Sequence, residues 1–265
     1  MLHATWNAWV KSRPDPYGAM VVVSIGAAWP CLLLLAWHGL PEEIPWAWMA
    51  LTIFLSIPAQ ALLGSAYREG DFVVAYPLVR GLNPVVIALG SAALFAERLA
   101  LPKAAGVVCV SAGIALLGWQ AMRRSGTVTL KGLGFAALSA LATASATLAD
   151  SAGARVANDP LAYAPLISIA NAVAMAVYQM RRIDLRRVFS ENRSLAILGP
   201  VVSTASYVIT IWSIARAPVA LVISLRETSI LFAVFLGAVF LRERVGPWHA
   251  AAVVVVFAGV ALIRA

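Results

Sequence analysis

Two arginines are the residues of this sequence whose type and position most clearly indicate chemistry. Arg80 and Arg226 each lie about ten residues into an apolar stretch that is long enough to cross a membrane. A charge in the bilayer interior costs several kcal/mol, and such residues usually serve a function. A guanidinium group matches carboxylate and phosphate groups bidentately. The two arginines therefore predict a binding site for an anionic group, unless each only neutralises a buried carboxylate or reaches to the membrane surface.

The sequence around one arginine repeats the sequence around the other. The segment AYPLVRGLNPVVIALGSAALFAERL (75–99) aligns with LVISLRETSILFAVFLGAVFLRERV (221–245), which places Arg80 on Arg226 at an offset of 146 residues. The same offset aligns three further positions: Glu97 with Glu243, Arg98 with Arg244, and Gly113 with Gly259. The Glu-Arg pairs stand at the ends of apolar stretches, so we expect them to be interfacial anchors or pairs between loops.

The composition indicates a polytopic membrane protein. Of the 265 residues, 62% are apolar and 12% are charged, and the mean hydropathy is +0.86, against roughly 45–50% apolar and about 25% charged in soluble domains. The net charge of +8 lies mostly in short gaps between apolar stretches, which argues against a nucleic-acid partner. The two cysteines lie inside apolar stretches and the three histidines are far apart. We therefore expect no disulfide framework and no metal site.

Nine apolar stretches are long enough to span a bilayer, which takes about 20 residues. They are residues 18–38, 46–67, 72–96, 101–122, 131–154, 161–180, 194–215, 217–241 and 246–264. Residues 1–10 are shorter and are either an interfacial segment or the second half of a first helix. The second interpretation is favoured because Asp15-Pro16 after this segment resembles Asp159-Pro160.

The spans predict an all-α membrane protein of two five-helix repeats. The first repeat covers residues 1–122, with helix one truncated, and the second covers residues 123–265. Five is odd, so the two copies must enter the membrane in opposite orientations and pack as inverted repeats in a ten-helix bundle. A site between such repeats lies near the membrane midplane, where both arginines are expected.

The chain resembles the EamA-type ten-helix members of the drug/metabolite transporter superfamily. The resemblance rests on the opening HATWNAWVK, on the paired motifs FAERL…AGIALL and LRERV…AGVALI, and on the five-helix repeat. It implies a helical bundle with a central cavity, no bound cofactor, and movement of small metabolites or drugs across the cytoplasmic membrane. It does not imply a particular substrate. The incomplete first helix departs from the family pattern.

Glu227 is the only acidic residue near the middle of a predicted span. It directly follows Arg226, and because adjacent helical residues point about 100° apart, a tight pair between the two is expected to be poor. Glu227 is instead expected to face Arg80 across the repeat interface, which would leave one arginine for a substrate anion. A carboxyl group at that depth is also our candidate for carrying the coupling proton.

Weaker candidates for substrate binding are polar or aromatic residues on the predicted helices. Asn83 lies one turn after Arg80 and could orient it. His3, Trp6 and Asn7 share one short helix, and Tyr207 and Gln60 lie inside spans. Simple packing among neighbouring helices explains each of these positions equally well.

These features predict a secondary transporter that exports a small anionic or zwitterionic metabolite, such as an amino acid or organic acid, by alternating access with proton coupling. A cationic-drug exporter would need acidic residues in the cavity, and only Glu227 and Asp150 qualify. An intramembrane enzyme acting on lipid phosphate would need more carboxylates or histidines, so we expect no enzymatic activity. A non-transporting or defective membrane subunit is the remaining alternative. Nothing in the sequence requires an oligomer.

The membrane orientation is predicted differently by two arguments. Loops starting at 11, 68, 123, 181 and 242 carry 13 Lys and Arg residues, whereas the alternate loops carry 5. The positive-inside rule therefore places the loop at 181–193 in the cytoplasm and the C-terminus outside. The family resemblance implies the reverse.

Overall fold

The computed structural model describes residues 2–69, 72–125, 129–229, 231–232 and 247–264, and all regular structure in this part of the chain is helical. The first six helices are α1 (Leu2–Lys11), α2 (Pro16–Gly26), α3 (Ala28–His38), α4 (Trp46–Glu69), α5 (Phe72–Phe95) and α6 (Leu101–Ser125). The next six are α7 (Leu130–Val156), α8 (Pro160–Gln179), α9 (Leu185–Glu191), α10 (Arg193–Ile214), α11 (Val219–Glu227) and α12 (Pro247–Arg264). The predicted all-α class is confirmed.

Within the described residues, six helical stretches are long and apolar enough to cross a membrane. They are Pro16–His38, Trp46–Ala66, Leu101–Gln120, Leu130–Val156, Pro160–Gln179 and Arg193–Ile214. Two shorter apolar helices, Val79–Phe95 and Trp248–Arg264, fall within predicted spans. Much of the predicted span at 217–241 lies outside the described residues. The protein is therefore a multi-pass membrane protein, and the count of nine spans in a ten-helix plan stays a prediction.

Two helices begin with the same aspartate–proline pair. Asp15 accepts a hydrogen bond from Gly18 N at 3.0 Å and so caps α2. Asp159 caps α8 by accepting from the backbone N–H groups of Leu161 and Ala162 at 3.1 and 3.2 Å. In both helices proline follows at the first position, where its missing N–H is not needed. The likeness between Asp15-Pro16 and Asp159-Pro160 in the sequence therefore reflects a shared helix N-terminus, an aspartate cap followed by proline.

The predicted span at 18–38 consists of two helices rather than one. α2 ends and α3 begins around Ala27. Pro30 has no N–H to bond the carbonyl of Gly26, and its ring would clash with that carbonyl in a continuous helix. A second difference is α9, a short helix capped by Asp184 within the loop at 181–193.

The chain forms two compact units. Unit 1 comprises Met1–Ile57 and Ala149–Arg216, and unit 2 comprises Pro58–Leu148 and Ala217–Ala265. Unit 1 contains an apolar cluster from α1, α2 and α10, made of Val10, Ala19, Val23 and Leu195 with Trp6, Trp9 and Met20 packed against it. Unit 2 contains a second cluster from α4, α5 and α7, made of Ala66, Val79, Ala136 and Ala140 with Leu63 and Phe135 against it.

Helices α6 and α12 of unit 2 approach closely through glycines. A Cβ on Gly106 would lie 2.7 Å from the carbonyl oxygen of Gly259, and a Cβ on Gly259 would lie 2.8 Å from that of Gly106. A Cβ on Gly113 would lie 3.0 Å from the carbonyl oxygen of Ala252. The 146-residue offset relates Gly106 to Ala252 and Gly113 to Gly259. The offset therefore converts the contact between Gly106 and Gly259 into the contact between Ala252 and Gly113, which is also present.

Candidate functional site

The two aligned arginines lie on either side of one carboxylate in unit 2. Arg80 is on α5, whereas Arg226 and Glu227 are the last residues of α11. Arg80 Nε lies 2.9 Å from Glu227 Oε2, and Arg226 Nη2 donates a hydrogen bond to Glu227 Oε1 at 3.2 Å. The exposed fraction is 9% for the Arg80 side chain, 21% for Arg226 and 0% for Glu227. Each oxygen of a fully buried carboxylate thus faces one guanidinium group.

This arrangement corrects one prediction about Glu227. The expected contact with Arg80 is present. The expectation that Arg226 would pair poorly with its neighbour is wrong, because its long side chain reaches back to the carboxylate although the two Cα–Cβ bonds diverge. The inference that one arginine lacks a carboxylate partner is therefore also wrong.

The Arg80–Glu227–Arg226 cluster carries an excess positive charge and incomplete hydrogen bonding. A guanidinium group stays charged in proteins, so two arginines and one glutamate leave a net charge of +1. Among the described residues, Arg226 Nε and Asn83 Oδ1 are buried without a hydrogen-bond partner. Glu227 Oε2 lies 2.9 Å from Arg80 Nε and is therefore paired by charge. A buried polar atom without a partner costs about 1–3 kcal/mol, so Arg226 Nε and Asn83 Oδ1 make the cluster a candidate for ligand contact.

The position that aligns with Glu227 at the 146-residue offset carries no carboxylate. At the 146-residue offset, Glu227 corresponds to Gly81. A Cβ on Gly81 would lie 3.1 Å from Ala115 N and 3.2 Å from Ser111 O on α6. The position of Gly81 therefore has little room for a side chain, and Glu227 contacts both arginines. Ser111 Oγ is a further buried atom without a hydrogen-bond partner in the described part of the chain.

Glu97 holds the start of the helix that carries Arg226 and Glu227. Its Oε2 accepts a hydrogen bond from Val219 N at 3.0 Å. The preceding residue, Pro218, makes no capping hydrogen bond, so a remote carboxylate takes the place of a local cap at the positive end of α11. We expected Glu97 to be an interfacial anchor or loop pair, and this capping contact was missed.

A second buried polar cluster lies in unit 1. Tyr207 Oη donates to Asp150 Oδ2 at 2.6 Å, and Tyr163 Oη donates to Asp150 Oδ1 at 3.4 Å. The three residues come from α7, α8 and α10, and Asp150 is 7% exposed. Gly153 leaves space for the Tyr163 hydroxyl, which a Cβ there would touch. Tyr207, predicted to bind substrate, therefore has a structural partner that the sequence did not indicate.

Of the other predicted site residues, Gln60 lies in unit 2, where its Oε1 is buried without a hydrogen-bond partner among the described residues, and those of the first helix belong to unit 1. Trp6 packs against the apolar cluster of that unit. His3 and Asn7 lie within α1, but their side chains are outside the described part of the chain, as is the whole Glu243-Arg244 pair. Among the described residues, no group of three His, Cys, Asp or Glu side chains could hold a metal ion.

Comparison with known proteins identifies the family. The model of the EamA-like transporter family matches residues 130–265. No curated protein matches the chain in sequence. A solved structure titled "Crystal structure of protein" is similar with a TM-score of 0.76 at 20% identity, over 99% of this chain and 96% of that chain. At this identity the likeness concerns the fold alone. Because the family match covers more than half of the 265 residues, the chain belongs to the EamA-like transporter family.

Proposed function

We propose that this protein is a secondary transporter that moves a small anionic or zwitterionic metabolite, such as an amino acid or organic acid, by alternating access across the cytoplasmic membrane. The observation that carries the proposal is the excess positive charge of the buried Arg80–Glu227–Arg226 cluster. An incoming carboxylate would balance this charge, and it would bind where a guanidinium group can form two parallel hydrogen bonds. Family membership supports transport but does not define the cargo.

The two arginines have different roles in this proposal. Arg226 is the more exposed of the two, and its Nε is the atom without a partner. It is therefore our choice for direct contact with the substrate. Arg80 is more deeply buried and holds Glu227 in place. Asn83, buried one turn after Arg80, offers its amide oxygen as a hydrogen-bond acceptor, which suits an ammonium group of the substrate.

Glu227 is the proposed proton carrier, and its position limits how coupling can work. Protonation would leave two buried guanidinium groups without a counter-charge. The ammonium group of a zwitterion would compete with a proton for this carboxylate. Because of this competition the substrate and the proton would move in opposite directions, as export driven by proton entry requires. An anion without an ammonium group would instead replace the lost charge and travel with the proton. The proposed export therefore favours a zwitterion.

The inverted ten-helix plan is part of the proposal. Its support is the close contact between α6 and α12, in which the pair Gly106–Gly259 and the pair Gly113–Ala252 are related by the 146-residue offset. The proposed repeats are residues 1–122 and 123–265, and alternating access would follow from rocking of one against the other. The family match to residues 130–265 begins close to the proposed boundary.

Transport by reconstituted protein tests the proposal. Liposomes containing the protein would be screened with radiolabelled amino acids, organic acids and cationic drugs. We expect Arg226→Gln to abolish transport of the zwitterionic substrate, with Arg182→Gln as a control at a helix end outside the cluster. Glu227→Gln should remove accumulation driven by a pH gradient. Undiminished transport in both Arg80→Gln and Arg226→Gln would disprove the substrate role, and a preference for cationic drugs would overturn the proposed cargo.

A further inference from the structure

We propose that the phosphate group of an anionic phospholipid binds in a pocket at one end of unit 1. The pocket has a volume of about 180 Å³ and lies where the α7–α8 turn meets the end of α10. It is lined by Ala154, Arg155, Asn158, Pro160, Ala215 and Arg216. The lining thus combines two arginines and one amide with three small apolar residues. Such a set suits a singly or doubly charged oxyanion.

Both arginines are held by carbonyl groups near the end of α10. Arg155 Nη2 donates to Ile214 O at 3.3 Å. Arg216 Nη1 donates to Trp212 O at 3.2 Å, and its guanidinium carbon lies 4.6 Å from the centre of the Trp212 ring. These contacts orient the two groups. A guanidinium carries five N–H donors, so binding one carbonyl does not exhaust it.

The turn between α7 and α8 supplies the third polar group. Asn158 has a φ of 52°, a left-handed conformation that asparagine adopts more readily than most residues. Its side chain is exposed and lines the pocket. The adjacent carboxylate of Asp159 already accepts from two N–H groups of α8, and its Oδ2 lies 3.0 Å from His38 Nε2. This acidic residue next to Asn158 therefore has its own partners.

The surface below the pocket favours a lipid over a free phosphate ion. The apolar span Arg193–Ile214 ends two residues before Arg216, which places that arginine at the level expected for lipid headgroups. Ile209 and Trp212 are three residues apart on α10 and so lie on one helix face, and the Arg216 guanidinium group stacks on the Trp212 ring of that face. Ile209 and Trp212 are 56% and 44% exposed. Acyl chains could pack along this face while the phosphate contacts the arginines, and tryptophan is common at this membrane level.

Lipid binding to the full chain in a neutral detergent tests the proposal. Native mass spectrometry would measure the affinity for phosphatidylglycerol, with phosphatidylcholine as the neutral lipid. We expect Arg155→Gln and Arg216→Gln each to weaken phosphatidylglycerol binding about tenfold, the effect of losing one charge-assisted contact. Arg216→Lys should retain part of the affinity. Phosphatidylcholine should bind weakly to every variant.

Arg182 provides a matched control. Its Nη1 donates to Tyr178 O at 2.8 Å, and its guanidinium carbon lies 3.8 Å from the centre of the Tyr178 ring. Arg216 contacts the carbonyl and the ring of Trp212 in the same way. Unlike Arg216, however, Arg182 does not line the pocket. Arg182→Gln should leave binding unchanged. An equal loss in this control, or no loss in either pocket variant, would overturn the site. Competition by inorganic phosphate at the same affinity would assign the pocket to a free anion instead of a lipid. None of these results depends on the transported substrate.

Discussion

Replacing Glu227 by glutamine should destabilise the folded protein by about 3–5 kcal/mol, the range observed when one partner of a buried ion pair is removed. Glu227 lies 2.9 Å from Arg80 and 3.2 Å from Arg226, and its side chain is fully buried. Without its charge, two guanidinium groups remain in a poorly solvated site. Since 1.4 kcal/mol is a factor of ten, the ratio of folded to unfolded protein should fall at least about a hundredfold.

Unfolding by sodium dodecyl sulfate in mixed micelles, followed by tryptophan fluorescence and circular dichroism, measures this loss. The matched control is Glu191→Gln. Arg187 Nε lies 2.8 Å from Glu191 Oε1, nearly the distance in the buried pair, but the two side chains are 74% and 54% exposed. Solvent screens such a pair, so the control should unfold like the wild type.

A double-variant cycle separates the ion pair from general damage to the site. Arg80→Gln alone leaves Glu227 paired with Arg226, so it should cost less than Glu227→Gln. The double variant should be more stable than the two single losses added together, with a coupling of about 0.5–3 kcal/mol. Equal stability of Glu227→Gln and Glu191→Gln would refute the reasoning, because the burial of the pair would then have no energetic consequence.

Three further predictions use matched variants in the same unfolding assay. Tyr207→Phe should cost about 1–3 kcal/mol and Tyr163→Phe less, because their hydroxyls donate to the same buried aspartate at 2.6 and 3.4 Å respectively; equal losses would contradict this. Gly106→Ala should be destabilising, since its Cβ would lie 2.7 Å from a carbonyl oxygen of α12, whereas Gly134→Ala, with nothing within 4 Å, should be neutral or stabilising. Burial raises the pKa of Asp159, but its histidine partner and the N–H groups of α8 outweigh that effect and hold the pKa below its ordinary value. Its stabilising effect should therefore be complete above about pH 4 and be lost as the pH falls through the lowered pKa, and Asp159→Asn should remove this pH dependence.

The helices were predicted well where the signal is local. The predicted span at 46–67 corresponds to α4 (Trp46–Glu69), and the span at 161–180 corresponds to α8 (Pro160–Gln179). Apolar length and an aspartate–proline start are properties of adjacent residues. The predicted span at 18–38 corresponds to the helical stretch Pro16–His38, and the interruption at Ala27 within it follows from Pro30, which lacks the N–H that would bond the carbonyl of Gly26.

The candidate site was predicted in part. The sequence identified Arg80 and Arg226 by their alignment and Glu227 as an acidic residue near the middle of a predicted span. It did not indicate that both arginines share one carboxylate, because the rule for adjacent helical residues ignores how far a long side chain reaches. The cluster around Asp150 was not predicted, since Tyr207 is 57 residues away on another helix.

By itself the sequence determined the membrane class, the positions of most helices and the 146-residue offset that aligns Arg80 with Arg226. These depend on hydrophobic length, helix caps and self-similarity, all of which can be read along the chain. Only the tertiary structure decided which charges meet: Glu227 lies between both arginines, and Asp150 binds two tyrosines. The energy of a buried charge depends on atoms a few ångströms away, and helix packing brings those atoms together from distant parts of the chain.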